Sequence, residues 1–113
     1  MLDKILGEVD LLERHLSVMR VVSTMGPIGI MKLTEELGLS QHRVRYSLRV
    51  LEQMQYIKAT PAGAVATSRA DEMLKHFNED LDGLISKLQT LRFYYSYFLR
   101  TANRNLQYAP RAI

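Results

Sequence analysis

Residues Leu33 to Leu51 read Leu-Thr-Glu-Glu-Leu-Gly-Leu-Ser-Gln-His-Arg-Val-Arg-Tyr-Ser-Leu-Arg-Val-Leu, and their spacing predicts two short helices joined by a tight turn. Leu33 and Leu37 give the first helix an inward stripe, and Gly38 is suited to the left-handed conformation that ends it. Leu39 tucks back under the turn. Ser40 then offers its hydroxyl as the N-cap of the second helix, whose apolar residues Val44, Leu48 and Leu51 recur at helical spacing. The remaining positions face outward: His42, Arg45, Tyr46, Arg49 and Gln53 on the far side, with Gln41 and Arg43 on the flanks. No acidic residue lies between Glu36 and Glu52, so this outer face is basic.

Upstream, Leu2, Ile5, Val9, Leu12, Leu16 and Met19 alternate spacings of three and four, with Leu6 and Val22 widening the stripe, which predicts a long amphipathic helix over 3–25. Gly26, Pro27 and Gly29 break it before a second helix over 30–37 and a third over 41–54. Downstream, Ile57-Lys58-Ala59-Thr60 and Ala64-Val65-Ala66-Thr67 flank Pro61-Ala62-Gly63, the pattern of a β-hairpin. Thr67 or Ser68 can cap a last helix, with Asp71 and Glu72 in the first turn where the helix dipole favours them.

That last helix carries a heptad. Leu74, Leu81, Leu88 and Tyr95 are seven apart, and Phe77, Leu84, Leu91 and Phe98 follow three residues behind them. A helix over 69–103 would be about 50 Å long at 1.5 Å per residue. A compact unit made from the preceding residues would have a radius of gyration near 11 Å. The seam is therefore expected to project and to need a partner, because leaving it wet would forfeit on the order of 10 kcal/mol. A second copy of the chain is the simplest partner, with antiparallel pairing near Ile85 favoured because parallel pairing sets Lys87 beside Arg92. Packing on the chain's own first helix, or a core shared with it, is the alternative.

Charge is zoned in the same region. Asp71 to Asp82 holds five acids, Asp71, Glu72, Glu79, Asp80 and Asp82, whereas Gly83 to Ile113 holds five bases, Lys87, Arg92, Arg100, Arg104 and Arg111, and no acid. The net charge of +3 permits a nucleic-acid partner. A hydrophobic content of 47% is enough for one modest core. With no cysteine, disulfides and thiolate metal sites are excluded. Asp3, Lys4, Glu8 and Asp10 interrupt the first apolar residues, so no secretory leader is read, and no apolar run is long enough to span a bilayer. A cytoplasmic protein without membrane association is the expectation.

The order helix, helix-turn-helix, hairpin and long helix resembles the winged-helix DNA-binding domain, in particular the small dimeric winged-helix transcription regulators of archaea and bacteria. The resemblance covers roughly residues 5–75. It is carried by Ile30 through Ser40 for the support helix and turn, Val44 through Leu51 for the recognition helix, and Tyr56-Ile57 with Pro61, Gly63, Ala64 and Thr67 for the hairpin. It implies a mainly α fold with a small hairpin (α+β), divided into a winged-helix unit over 1–68, a dimerisation helix over 69–103 and a basic tail over 104–113. It further implies a homodimer that regulates transcription by reading double-stranded DNA, its half-sites about one helical turn, roughly 34 Å, apart.

On that resemblance His42, Arg45, Tyr46 and Arg49 would meet base edges, and Lys32, Ser40, Gln41 and Arg43 phosphates. Leu74, Phe77, Leu81, Leu84, Leu88, Leu91, Tyr95 and Phe98 would form the dimer interface. Two departures matter. Relatives often place glycine where this chain has Gln55 and Ala70, which predicts a less sharp stop to the third helix. The tip Pro61-Ala62-Gly63-Ala64 has no basic residue, which leaves Lys58 as the hairpin's charged DNA contact.

Phe93, Tyr94 and Tyr97 lie off the seam and are expected to pack on a partner or to line a pocket for an unknown small-molecule effector. Arg104, Pro110 and Arg111 belong to a frayed end or a DNA-touching arm. His15, His42 and His76 are too scattered for a metal site, and nothing implies a cofactor. No phosphate-cradling glycine loop or activated nucleophile is present, so the reading is of a binding protein and not an enzyme. A winged-helix module that binds protein in place of DNA, or a regulator with an effector at the dimer interface, are the alternatives.

Overall fold

The computed structural model of this chain describes residues 1–108 and has an α+β architecture. The described elements are α1 (Asp3–Met25), α2 (Ile30–Leu37), α3 (Gln41–Gln53), β1 (Ile57–Thr60), β2 (Gly63–Ala66), α4 (Ser68–Tyr94) and α5 (Ser96–Tyr108). They fall into two units, Met1–Lys75 and a second that begins at His76.

In the first unit the core is built where α1 packs against α2, α3 and β2. Val18, Met19, Val21 and Val22 of α1 are buried with Ile28, Leu33, Val44, Leu51, Ile57 and Ala70, and Ile30, Leu37, Leu39, Leu48 and Tyr56 pack on them from the rim. The α1 stripe read from the sequence is only half used. Its C-terminal part enters the core, whereas Leu2, Ile5, Leu6, Val9 and Leu12 stay exposed because α2 and α3 cover only the later turns. Ala70, near the start of α4, is itself a buried core residue.

The turn between α2 and α3 follows from local chemistry. Gly38 adopts φ 64° and ψ 28°, its amide closing onto the Thr34 carbonyl at 2.8 Å. The Ser40 hydroxyl accepts from the Arg43 amide at 3.3 Å and so satisfies one of the otherwise unpaired donors of the first turn of α3. The far end of α3 departs from the expectation of a blunt stop. Gln55 takes φ 66°, its amide bonds the Glu52 carbonyl at 2.9 Å, and the Tyr56 amide reaches back to Leu51 at 2.9 Å. This is the hydrogen-bond pattern of a Schellman stop, made by glutamine where glycine is the usual residue.

β1 and β2 pair antiparallel in the register Ile57↔Ala66, Lys58↔Val65, Ala59↔Ala64 and Thr60↔Gly63, with Pro61-Ala62 as the loop. The strand pair gains a third partner that sequence spacing did not show. Ile28, between α1 and α2, exchanges two backbone hydrogen bonds with Ala64, at 2.8 and 3.1 Å. A side chain at Gly63 would meet the Ile28 backbone at 2.6 Å, so the close approach needs glycine there, as does the φ of 131°.

Thr67 is the residue that ties the hairpin to α4. Its hydroxyl accepts from the Ala70 amide at 3.3 Å, as an N-cap, and donates to the Gln55 carbonyl at 2.7 Å. Arg69 Nε donates to the Met54 carbonyl at 3.1 Å. Carbonyls left over at the end of α3 are thus satisfied from the start of α4.

The helix expected over 69–103 is divided at Tyr95 into α4 and α5. The hydrogen-bond ladder nevertheless passes through, since the Tyr95 amide bonds Leu91 at 3.1 Å and the Leu99 amide bonds Tyr95 at 2.9 Å. Beside the interruption the Ser96 hydroxyl donates to the Phe93 carbonyl at 2.9 Å, a local bond that competes with helical geometry. Of the tail expected over 104–113, residues 104–108 belong to α5, and Pro110 and Arg111 lie outside the described residues.

Gln55→Gly should raise the unfolding free energy by about 1 kcal/mol, because it relieves a left-handed backbone that costs a side-chain-bearing residue roughly 1–2 kcal/mol. Urea denaturation midpoints of the two proteins check this; an unchanged midpoint would mean that the Gln55 side chain offsets the strain.

Candidate nucleic-acid interface

The candidate face is the outer side of α3. Val44 and Ser47 are fully buried and Leu51 nearly so, which fixes how the helix is rotated. With that side inward, Gln41, His42, Arg43, Arg45 and Arg49 are all exposed. Arg45 and Arg49, one turn apart, line a shallow groove of about 550 Å³ together with Leu48, Glu52 and Gln53. Guanidinium groups in this setting remain hydrated, extend freely and match planar acceptors such as phosphate oxygens or the edge of guanine.

Other expected contacts are placed differently. The Lys32 ammonium lies 3.5 Å from Glu36 and 3.9 Å from Glu35 along α2, so in the free chain it is held by its own helix. Exposed pairs of this kind are weak and readily exchanged. The Gln41 amide nitrogen lies 2.8 Å from the Met31 sulfur, and Ser40 is occupied as the cap of α3. Lys58 is exposed on β1, whereas the hairpin loop beyond it, Pro61-Ala62, offers no charge.

Tyr46 is exposed as well, at the edge of this row that meets α1. Its ring stacks on His15 at 6.2 Å between centroids and 27° between planes. The Arg14 guanidinium carbon lies 5.8 Å from the same ring, on its other neighbour in α1. The reason is angular: Tyr46 is one residue from buried Ser47, on the flank of α3 that meets α1. His15 Nδ1 completes the cluster with a 2.9 Å hydrogen bond to the Ser47 hydroxyl. Among the described residues Ser47 is the one buried polar residue, and His15 is its partner.

Sequence reading missed this pairing because serine and histidine do not register in a hydrophobic stripe. A positional signal existed. Ser47 stands three residues after Val44 and four before Leu51, within the inward face, and His15 stands three before Val18 and four before Met19. Burial, and secondarily the positive charge of Arg14, lower the His15 pKa from its ordinary 6.5.

A second feature legible only in three dimensions is a cleft of about 590 Å³ where α1 meets the α2–α3 turn. Arg14, Arg20 and Arg43 line it, but so do Asp10, Glu13 and Glu36, which balances its charge and removes any strong preference for an anion. Arg14 Nε is the one buried side-chain nitrogen or oxygen among the described residues without a hydrogen-bond partner.

No group of histidine, cysteine or acidic side chains able to hold a metal ion is found among the described residues. Likewise, no described helix is long and apolar enough to cross a membrane. No protein-family model matches the chain, and no curated protein matches it in sequence.

The His15 shift has a testable sign. Its pKa is lower folded than unfolded, so the stability it contributes is complete above about pH 6.5 and falls as acid protonates the ring. His15→Gln, which keeps a hydrogen-bonding group toward Ser47 but cannot titrate, should therefore lose less stability than the parent between pH 7 and pH 5. Parallel urea titrations across that range check it, and equal losses would remove His15 from the acid response.

Proposed function

We propose that the chain is a winged-helix transcription regulator that acts as a cytoplasmic homodimer and binds double-stranded DNA sequence-specifically, with α3 as the recognition helix in the major groove. The observation that carries this reading is the row of exposed His42, Arg45 and Arg49 on α3, opposite buried Val44, Ser47 and Leu51 and free of acids from Gln41 to Leu51. Arg45 and Arg49 are assigned to base edges, where bidentate bonds to guanine O6 and N7 discriminate by roughly 1–3 kcal/mol each. His42 is their neighbour at the base edge. Arg43, Gln41 and the first-turn amides of α3 are assigned to phosphates, with Lys32 and Lys58 as outlying backbone contacts.

Tyr46 is a positioning residue in this scheme. Its stacking on His15, together with the His15–Ser47 bond, couples α3 to α1 and holds the angle at which the arginines are presented. Dimerisation is assigned to the seam of α4 and α5. Leu81, Leu84, Leu88, Leu91, Tyr95 and Phe98 are 37–64% exposed in the single chain, an apolar row too long to be left in water.

Binding to mixed duplex DNA should weaken steeply with salt, because each neutralised phosphate contributes a slope of about −0.9 in log affinity against log salt. Arg45→Glu combined with Arg49→Glu should abolish a mobility shift without changing the far-ultraviolet circular dichroism. Unchanged DNA affinity in that folded double variant would take α3 out of the interface. Leu84→Arg should turn a dimer into a monomer in sedimentation equilibrium, and a dimer that persists would move the interface elsewhere.

The uncharged hairpin loop favours one competing reading, a winged-helix module that binds protein. A parent chain that fails to shift any duplex at low salt would select it.

A further inference from the structure

The seam on α4 and α5 carries direction as well as affinity. Leu74, Leu81, Leu88 and Tyr95 form one row and Phe77, Leu84, Leu91 and Phe98 the other, and all are exposed except half-buried Phe77. Charge along the same helix is polarised. Asp71, Glu72, Glu79, Asp80 and Asp82 precede the middle of the seam against Arg69 and Lys75, and Lys87, Arg92 and Arg100 follow it with no acid among them. Whatever covers this face must be apolar over the same length and must offer the reverse order of charge. A second copy of the chain, turned end for end, does both.

Resting on the homodimer proposed above, we infer that two copies pair α4–α5 antiparallel about a two-fold axis beside Ser86. Reflection through Ser86 sets Leu84 against Leu88 of the second copy, Leu81 against Leu91, Phe77 against Tyr95 and Leu74 against Phe98, so every seam residue finds a facing residue. Each acidic stretch then runs beside the other copy's basic stretch. On the flanks, Asp80 comes beside Tyr94, whose hydroxyl can donate to the carboxylate, and Asn78 comes beside Arg92. Ile85 meets its own copy at the axis. Lys87 also meets its own copy across the axis, the one like-charge contact of the arrangement.

Parallel pairing has more like-charge contacts. It sets Lys87 beside Arg92 twice and aligns five acids with the same five acids along the rod. These repulsions act within the roughly 8–10 Å over which salt at 0.1–0.15 M leaves surface charges unscreened.

The absence of cysteine makes single-cysteine variants of the full chain clean probes. Leu81→Cys and Leu91→Cys should each stay at 13.0 kDa after mild oxidation and non-reducing electrophoresis, whereas an equimolar mixture should give a band at twice that mass. Circular dichroism and sedimentation of the reduced variants confirm that both remain folded and dimeric. Self-crosslinking of either variant alone means parallel strands and overturns the inference while leaving the dimer intact. No crosslink in any sample, with a dimeric parent chain, overturns this register. A monomeric parent chain overturns the proposed homodimer itself, and the inference with it.

Discussion

Everything in the first unit hangs on the burial of one face of α3 against the C-terminal half of α1. Val44, Ser47 and Leu51 go inward against Val18, Met19 and Val22, with Leu33 of α2 beside them. Once these are covered, the rotation of α3 is fixed, and the arginines at 45 and 49 have no direction left but outward. A helix turned by one residue would bury Arg45 or expose Val44, each at a cost of kilocalories. The polar pair His15–Ser47 sharpens this, because a buried hydroxyl accepts only the rotation that gives it a partner.

The ends of α3 are secured by neighbours of different kinds. At its start the constraint is local, a left-handed glycine and a serine cap within three residues of one another. At its end the constraint is assembled from elsewhere: Gln55 turns left-handed, and Thr67 and Arg69 from the start of α4 take the Gln55 and Met54 carbonyls. The hairpin lies between these points, and Ile28 clamps it to the α1–α2 connection. The proposed DNA-reading surface is therefore held at both ends by hydrogen bonds between side chains and backbone, with apolar contact between.

The seam on α4 and α5 obeys a different logic. Among the described residues, the buried apolar side chains all lie between Val18 and Ala70. Its leucines and aromatics are exposed in the single chain, and the pairing proposed for them rests on the order of charge along the same helices.

The sequence by itself determined the order of the elements and, to within a residue or so, the bounds of α1, α2, α3 and the hairpin, but not the division of the last helix at Tyr95. Helical stripes, the Gly38 and Ser40 signals and the β-branched runs around Pro61-Ala62-Gly63 are local, encoded within a few residues of where they act. It also determined the heptad spacing and the charge zoning, which are properties of the local sequence along α4 and α5. What only the tertiary structure decided is which surfaces meet. It leaves Leu2 through Leu12 of α1 exposed although their pattern matches the buried half, turns Tyr46 onto His15, buries Ser47, brings Ile28 to Ala64 and gathers Arg14, Arg20 and Arg43 at one cleft. Periodicity places Ser47 and His15 on inward faces but does not name their partners, because each of these contacts joins residues far apart in the chain whose encounter depends on how whole helices pack.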